Sequence, residues 1–271
     1  MQETKSGFIG AGNMAASIIG GLISQGQPPA NVFASDLDAA KLAALATSTG
    51  LQAASNTEIA QQADVIVLAV KPQVMAAVCQ ELAASLGERR PLLISIAAGI
   101  NLSALTGWFG SDASLVRCMP NTPALVGSGA SGLFANPQVD SGQREIANAL
   151  MGAVGLALWV DTEAQIDSVT ALSGSGPAYF FLMLEAMQDS AVKLGLSAEV
   201  AKALSYQTAL GAAQLALASS ETTEQLRRNV TSPNGTTERA INAFEDGDLR
   251  GLVDSALKAA HARSIELAEE N

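Results

Sequence analysis

Apolar residues come first in short runs and later in long helical stripes, and that change divides the chain. Gly7-Phe8-Ile9 leads into Gly10-Ala11-Gly12, after which Met14, Ile18, Ile19 and Leu22 recur at helical spacing. Asn31–Ser35 is a second short strand, followed by a helical stretch from Asp38 to Ala46. Asp64–Val70 is apolar between polar ends, which suits a parallel strand covered on both faces, and Pro72 then opens a helix to about Leu86. Leu92–Gly99, Ser114–Met119 and Ala157–Asp161 read as further strands. From Glu163 onward the strand pattern stops, and helical patterns cover Pro177–Leu194, Ala198–Ala218, Thr236–Glu245 and Leu249–Glu269. The expected fold is α/β. Alternating strands and helices build a parallel-sheet domain over residues 1–162, followed by an all-helical domain over 163–271.

The Ala198–Ala218 stretch carries Ala, Leu and Gly around most of its circumference, including Ala209-Leu210-Gly211-Ala212-Ala213. A helix apolar all round must be buried on all sides, and a helical region of this size can hardly surround it unaided. A homodimer with interleaved helical halves is the expected remedy; a tight monomeric bundle is the alternative.

Composition narrows the class of function. Hydrophobic residues make up 48% of the 271 and charged residues 15%, so a sizeable core is expected. The net charge of -11 argues against a nucleic-acid partner. Gln2, Glu3 and Lys5 lead straight into a strand rather than a signal peptide, and the apolar run Pro177–Met187 is broken by Glu185 and too short for a bilayer. Cys79 and Cys118 lie in no metal-ligand spacing, and His261 is the one histidine. A cytoplasmic, metal-free protein without a membrane segment is expected.

The order strand, glycine turn, helix around Gly10-Ala11-Gly12-Asn13-Met14-Ala15 is the context of a dinucleotide fingerprint. Gly10 would make the tight turn, Gly12 would let the backbone approach a pyrophosphate, and Ala15 would let the helix pack on the strand. These residues predict a Rossmann-type domain and a nucleotide cofactor. After the second strand the signals conflict. Asp36 points to NAD through an adenosine ribose, Ser35 could instead meet a phosphate, and Asp36 could simply cap the next helix. Lys71, at the end of the Asp64–Val70 strand, could approach the cofactor or be a solvated lysine.

Two turns stand out in the helical half. Leu172-Ser173-Gly174-Ser175-Gly176-Pro177-Ala178-Tyr179 and Thr231-Ser232-Pro233-Asn234-Gly235-Thr236-Thr237-Glu238 each precede a helix. Ser175 or Gly176, and Thr236 with nearby Glu238, would serve as N-caps. Capping asks for a single Ser or Thr, however, and helix starts also offer N–H groups for a carboxylate. A substrate site is expected here.

With these blocks, and with Ala69-Val70-Lys71-Pro72, Arg117-Cys118-Met119-Pro120-Asn121-Thr122-Pro123, Val169–Tyr179 and Asn229–Thr237, the chain resembles the pyrroline-5-carboxylate reductases along essentially its whole length. The resemblance implies reduction of 1-pyrroline-5-carboxylate to L-proline with NADPH, sometimes NADH. It also implies a helical domain that interlocks in dimers, which can gather into larger rings such as a pentamer of dimers. Cofactor contacts are implied at Gly10, Ala11, Gly12, Asn13, Met14, Ser35, Asn56, Ala69, Val70, Lys71, Pro72, Ala98 and Asn229. Substrate contacts are implied at Glu163, Ser175, Thr236 and Thr237, with Thr237 near the imine nitrogen as the catalytic group. Asp36, Asn234 and Thr236 depart from residues usual in the family.

An imine suits the chemistry. Carbonyl reduction needs a positioned acid, but an iminium is already protonated and needs orientation more than an acid. His261 lies outside both turns, and after Gly176-Pro177 no Lys occurs before Lys193. A cofactor-binding regulator without turnover, and a six-membered cyclic imine as substrate, are the competing readings.

Overall fold

The computed structural model describes residues 3–270; Met1, Gln2 and Asn271, the ends of the two expected domains, lie outside the described residues. Eight strands form one sheet in the order β3-β2-β1-β4-β5-β6-β7-β8. They are β1 (Ser6–Ile9), β2 (Val32–Ser35), β3 (Gln52–Ala53), β4 (Val65–Leu68), β5 (Leu92–Ser95), β6 (Leu115–Met119), β7 (Gly129–Ala135) and β8 (Gly155–Trp159). Strands β1 to β6 are parallel, as the unbroken apolar runs predict. Alternate residues build two separate cores. Phe8, Val65, Val67 and Ile94 belong to one, and Ile9, Ile66, Leu68 and Leu93 to the other.

The parallel sheet continues into a mixed one. β7 runs antiparallel to β6, and β8 is parallel to β7. The reason is the connection: a short 3-10 turn, Thr122–Val126, joins β6 to β7, and a parallel pair would need a longer crossover. The strand expected at Ala157–Asp161 is β8, two residues earlier. The Asp64–Val70 run is strand only over β4, because its register with β1 ends at Ile9 opposite Leu68 and the chain then turns.

Helices α1 (Asn13–Ser24), α2 (Ala39–Thr49), α3 (Asn56–Gln62), α4 (Pro72–Leu86), α5 (Leu102–Phe109) and α6 (Ser141–Gly152) connect the strands. After β8 come α7 (Gln165–Val169), α8 (Gly176–Lys193), α9 (Ala198–Ala218), α10 (Thr223–Asn229), α11 (Thr236–Asp246) and α12 (Leu249–Glu269). No strand follows β8 among the described residues. None of their helices is long and apolar enough to cross a membrane, and no cluster of their acidic, His and Cys side chains could hold a metal.

The chain forms two compact units. One runs up to Pro177 and takes back the residues from Ala259 on; the other is Ala178–Lys258. The first therefore reaches past the composition change at Glu163. In the single chain, α9 buries only Ala201 and Ser205 of its residues, so the solvent-covered helix expected to be surrounded has Leu210 and Leu217 exposed.

Candidate active site

In the first unit, strand order reverses direction between β1 and β4, the switch point where open α/β sheets hold ligands beyond their carboxyl ends. Gly10–Met14 follows β1, Ser35 closes β2, Ala69–Pro72 follows β4 and Ala98 lies beyond β5. The topology thus brings all these expected cofactor residues to one edge of the sheet. Asn56 joins them: Ser35 Oγ donates to Asn56 Oδ1 at 2.6 Å. Lys71 takes the N-cap position of α4, with Pro72 in its first turn and the Lys71 side chain exposed.

The two glycines of the fingerprint answer to different needs. Gly10 has φ of +98°, and a Cβ on it would come within 2.8 Å of the Ala69 carbonyl oxygen, so the fold itself demands glycine. Gly12 has an ordinary φ of -64° and open space where a Cβ would stand. No side chain caps α1, which leaves its first N–H groups facing that space. Open space at a positive helix end fits a dinucleotide pyrophosphate. Ala15 is fully buried where α1 meets the sheet.

The expected Gly-Ser-Gly turn is not a turn. Residues Thr170–Gly174 form a π-helical segment that carries the chain from α7 almost directly into α8, and Ser175 N–H donates to the Thr170 carbonyl at 2.8 Å. Ser175 has helical backbone angles and closes the π-helical segment at its C-terminal end. The cause is tertiary. A Cβ on Gly174 would come within 2.7 Å of Met119 Cε, and the Ser173 carbonyl accepts from Asn121 Nδ2 at 2.9 Å, so β6 and its following loop hold the segment in place. Such π-bulges often mark functional positions.

Glu163 is the part-exposed member of a charge cluster around the buried Arg117. Its Oε1 accepts from Leu102 N–H at 2.7 Å, at the positive end of α5, and from Arg117 Nη1 at 3.2 Å. Arg117, 5% exposed, also donates to Asp167 Oδ1 at 3.2 Å, and Ser264 Oγ donates to the same oxygen at 2.7 Å. Asp167 and Ser264 were not singled out from the sequence. Only the isolation of an acid between Ile166 and Val169 signals that Asp167 needs a buried partner.

In the second unit, Gly235, rather than Thr236, occupies the N-cap of α11, and no side chain caps that helix. Thr236 and Thr237 therefore begin the helix proper, Thr236 exposed and Thr237 half-buried. Glu238 turns back to accept from Asn234 N–H at 2.8 Å. Asn234 has φ of +59°, a left-handed conformation that Asn tolerates better than most residues. The Asn229 amide is engaged locally, with Gln225 at 2.8 Å and Glu221 at 2.7 Å.

Residues 163–267 match the family of pyrroline-5-carboxylate reductase dimerisation, and residues 5–99 match the coenzyme F420-dependent NADP oxidoreductases. A pyrroline-5-carboxylate reductase of Pseudomonas aeruginosa is 56% identical over 271 residues, covering 100% of this chain and 99% of that protein. The chain belongs to the pyrroline-5-carboxylate reductases. A solved member of the family from Coxiella burnetii superposes with a TM-score of 0.95 at 46% identity, covering 98% of each chain. The Plasmodium falciparum pyrroline carboxylate reductase, solved with NADP bound, gives 0.87 at 32% identity over 99% of each chain. As a member of this oxidoreductase family, the chain carries the reductase's dinucleotide fold in its first unit and the family's dimerisation region after residue 163.

Proposed function

We propose that the chain reduces 1-pyrroline-5-carboxylate to L-proline with NAD(P)H, the last step of proline biosynthesis, in the cytoplasm. The observation that carries this reading is a likeness spanning 100% of the chain at 56% identity, so that it takes in both the Gly10–Met14 cradle and the Thr236-Thr237 helix start. In the proposed division of labour, residues 1–162 hold the nucleotide and residues 163–271 hold the imine and self-associate.

When bound, the nicotinamide supplies the hydride. Gly10, Ala11, Gly12, Asn13 and Met14 would hold the pyrophosphate at the start of α1, and Ser35, Asn56, Ala69–Pro72 and Ala98 would meet the rest of the dinucleotide; Asn229 is proposed separately as a cofactor contact. The uncapped N–H groups of α11, with Thr236, would receive the substrate carboxylate; Ser175 and Glu163 are proposed separately as substrate contacts. Thr237 would share a hydrogen bond with the ring nitrogen and so orient the imine. No strong acid is required of the chain, because a protonated imine becomes a neutral amine on taking hydride.

The assembly proposed is a homodimer built on the apolar faces of α8 and α9. Phe180, Phe181 and Leu182 are all more than three-fifths exposed in the single chain, and such contiguous apolar surface marks an interface. Dimers of this kind could gather into a ring, as a pentamer of dimers.

Oxidation of NADH and NADPH, followed by absorbance with pyrroline-5-carboxylate and then with the six-membered analogue, tests the activity. Turnover with the five-membered imine, and L-proline as the product, is expected. Nucleotide binding without turnover of either imine would point to a regulatory protein instead.

A further inference from the structure

We propose that Asp36 makes this chain select the dinucleotide without a 2′-phosphate, NADH over NADPH. The inference rests on the reductase reading of the cofactor crevice. Asp36 follows β2 directly, and capping is not its task. Helix α2 is capped by Asp38, whose Oδ1 accepts from Lys41 N–H at 3.0 Å. Asp36 Oδ1 instead accepts from Asp38 N–H at 2.9 Å, and Oδ2 accepts from Ala11 N–H at 2.7 Å. The second bond fastens the acid to the glycine turn itself, beside the place where the adenosine ribose of a dinucleotide lies in this fold.

The charge persists at neutral pH. Burial works to raise the pKa of Asp36, but the amides of Asp38 and Ala11 and the Lys41 ammonium together outweigh it and hold the carboxyl below its ordinary 3.8. The groups that could receive a phosphate here are already engaged. Ser35 is buried and its hydroxyl is directed to Asn56. Lys41 Nζ lies 3.7 Å from Asp36 Oδ2, so its charge is matched by the acid. A ribose hydroxyl beside Asp36 finds an acceptor, whereas a 2′-phosphate finds a like charge at a carboxylate only 17% exposed.

Fluorescence titration with NADH and NADPH, in the absence of any imine, measures the two dissociation constants on the intact protein. The unmodified chain should bind NADH the more tightly. Asp36→Ser and Asp36→Asn should each move the ratio toward NADPH by roughly tenfold to a hundredfold, as relief of a like-charge contact implies. Asn keeps an acceptor for Ala11 N–H, so a parallel shift in both variants assigns the effect to charge, and Asp36→Asn alone suffices if Asp36→Ser fails to fold. A shift in Asp36→Ser alone would make turn geometry the cause and overturn the proposal. So would an unchanged ratio in both variants, or NADPH binding to the unmodified chain as tight as NADH; each of these leaves the reductase reading standing. Binding of neither nucleotide would remove both.

Discussion

Asn121 donates from Nδ2 to the Ser173 carbonyl at 2.9 Å, while its Oδ1 accepts from Ala130 N–H at 2.8 Å. One buried amide thereby joins the β6–β7 connection to the π-helical segment beside the proposed substrate position. Asn121→Leu strands both partners, at about 1–3 kcal/mol for each group left unsatisfied. Urea unfolding at fixed protein concentration should show a clearly lower midpoint than for the unmodified chain. Equal midpoints would mean that water replaces both bonds.

The fingerprint glycines should separate in the laboratory. Gly12→Val projects into open space at an allowed φ, so the melting temperature should hold while nucleotide binding disappears. Gly10→Val meets the Ala69 carbonyl at a positive φ and should lower the melting temperature itself. Calorimetry alongside nucleotide titration distinguishes them, and undiminished affinity in a folded Gly12→Val protein would remove the pyrophosphate assignment.

Thr237→Val keeps the side-chain shape and deletes the hydroxyl. The loss of a hydrogen bond that strengthens in the transition state costs about 2–4 kcal/mol, some tens to a thousandfold in kcat/KM. Nucleotide affinity should stay near normal. Parent-rate turnover of pyrroline-5-carboxylate by this variant would move the catalytic role elsewhere.

The depressed pKa of Asp36 has a pH consequence of definite sign. A carboxyl lowered from 3.8 in the folded chain stabilises the fold above that value, and the contribution is lost as pH falls through the folded pKa. The unmodified chain should therefore lose stability faster than Asp36→Asn below about pH 4. Denaturant midpoints measured from pH 6 downward provide the comparison, and parallel curves would show that the acid contributes nothing to the fold.

Self-association can be probed on α9. Ala212 is exposed in the single chain, and Ala212→Glu would bury an unpaired charge in an apolar dimer face. Light scattering should find an inactive monomer or insoluble protein. A fully active monomer of the unmodified chain would refute the interleaved dimer.

The sequence made legible what is decided by patterning over several residues. Val65–Leu68 is apolar throughout because both sheet faces are covered, and α9 and α12 end where their stripes end. β7 escaped notice because Gly-Ala-Ser-Gly reads as a loop. Its Gly132 is small because a Cβ would lie 2.7 Å from the Val169 methyls, a neighbour far along the chain. Helix α6 carried a usable signal, the reciprocal Asp140–Gln143 cap, that hydrophobic periodicity alone passes over. At the site, the proposed cofactor edge rests on a local motif, the strand, glycine turn and helix around Gly10–Ala15. The π-helical path of Thr170–Gly174 and the Arg117 cluster depend on contacts between distant residues, which no local pattern records.

The π-helical segment also reverses the ordinary expectation about where a chain tolerates length change. Leu172–Pro177 looks like a flexible linker, the kind of place where insertions accumulate harmlessly. Yet each added or deleted residue would turn the following helix by about 100° and shift it by about 1.5 Å. Gly174 would leave Met119, and the Ser173 carbonyl would leave Asn121. In this stretch the number of residues is as constrained as the identity of any side chain in the core.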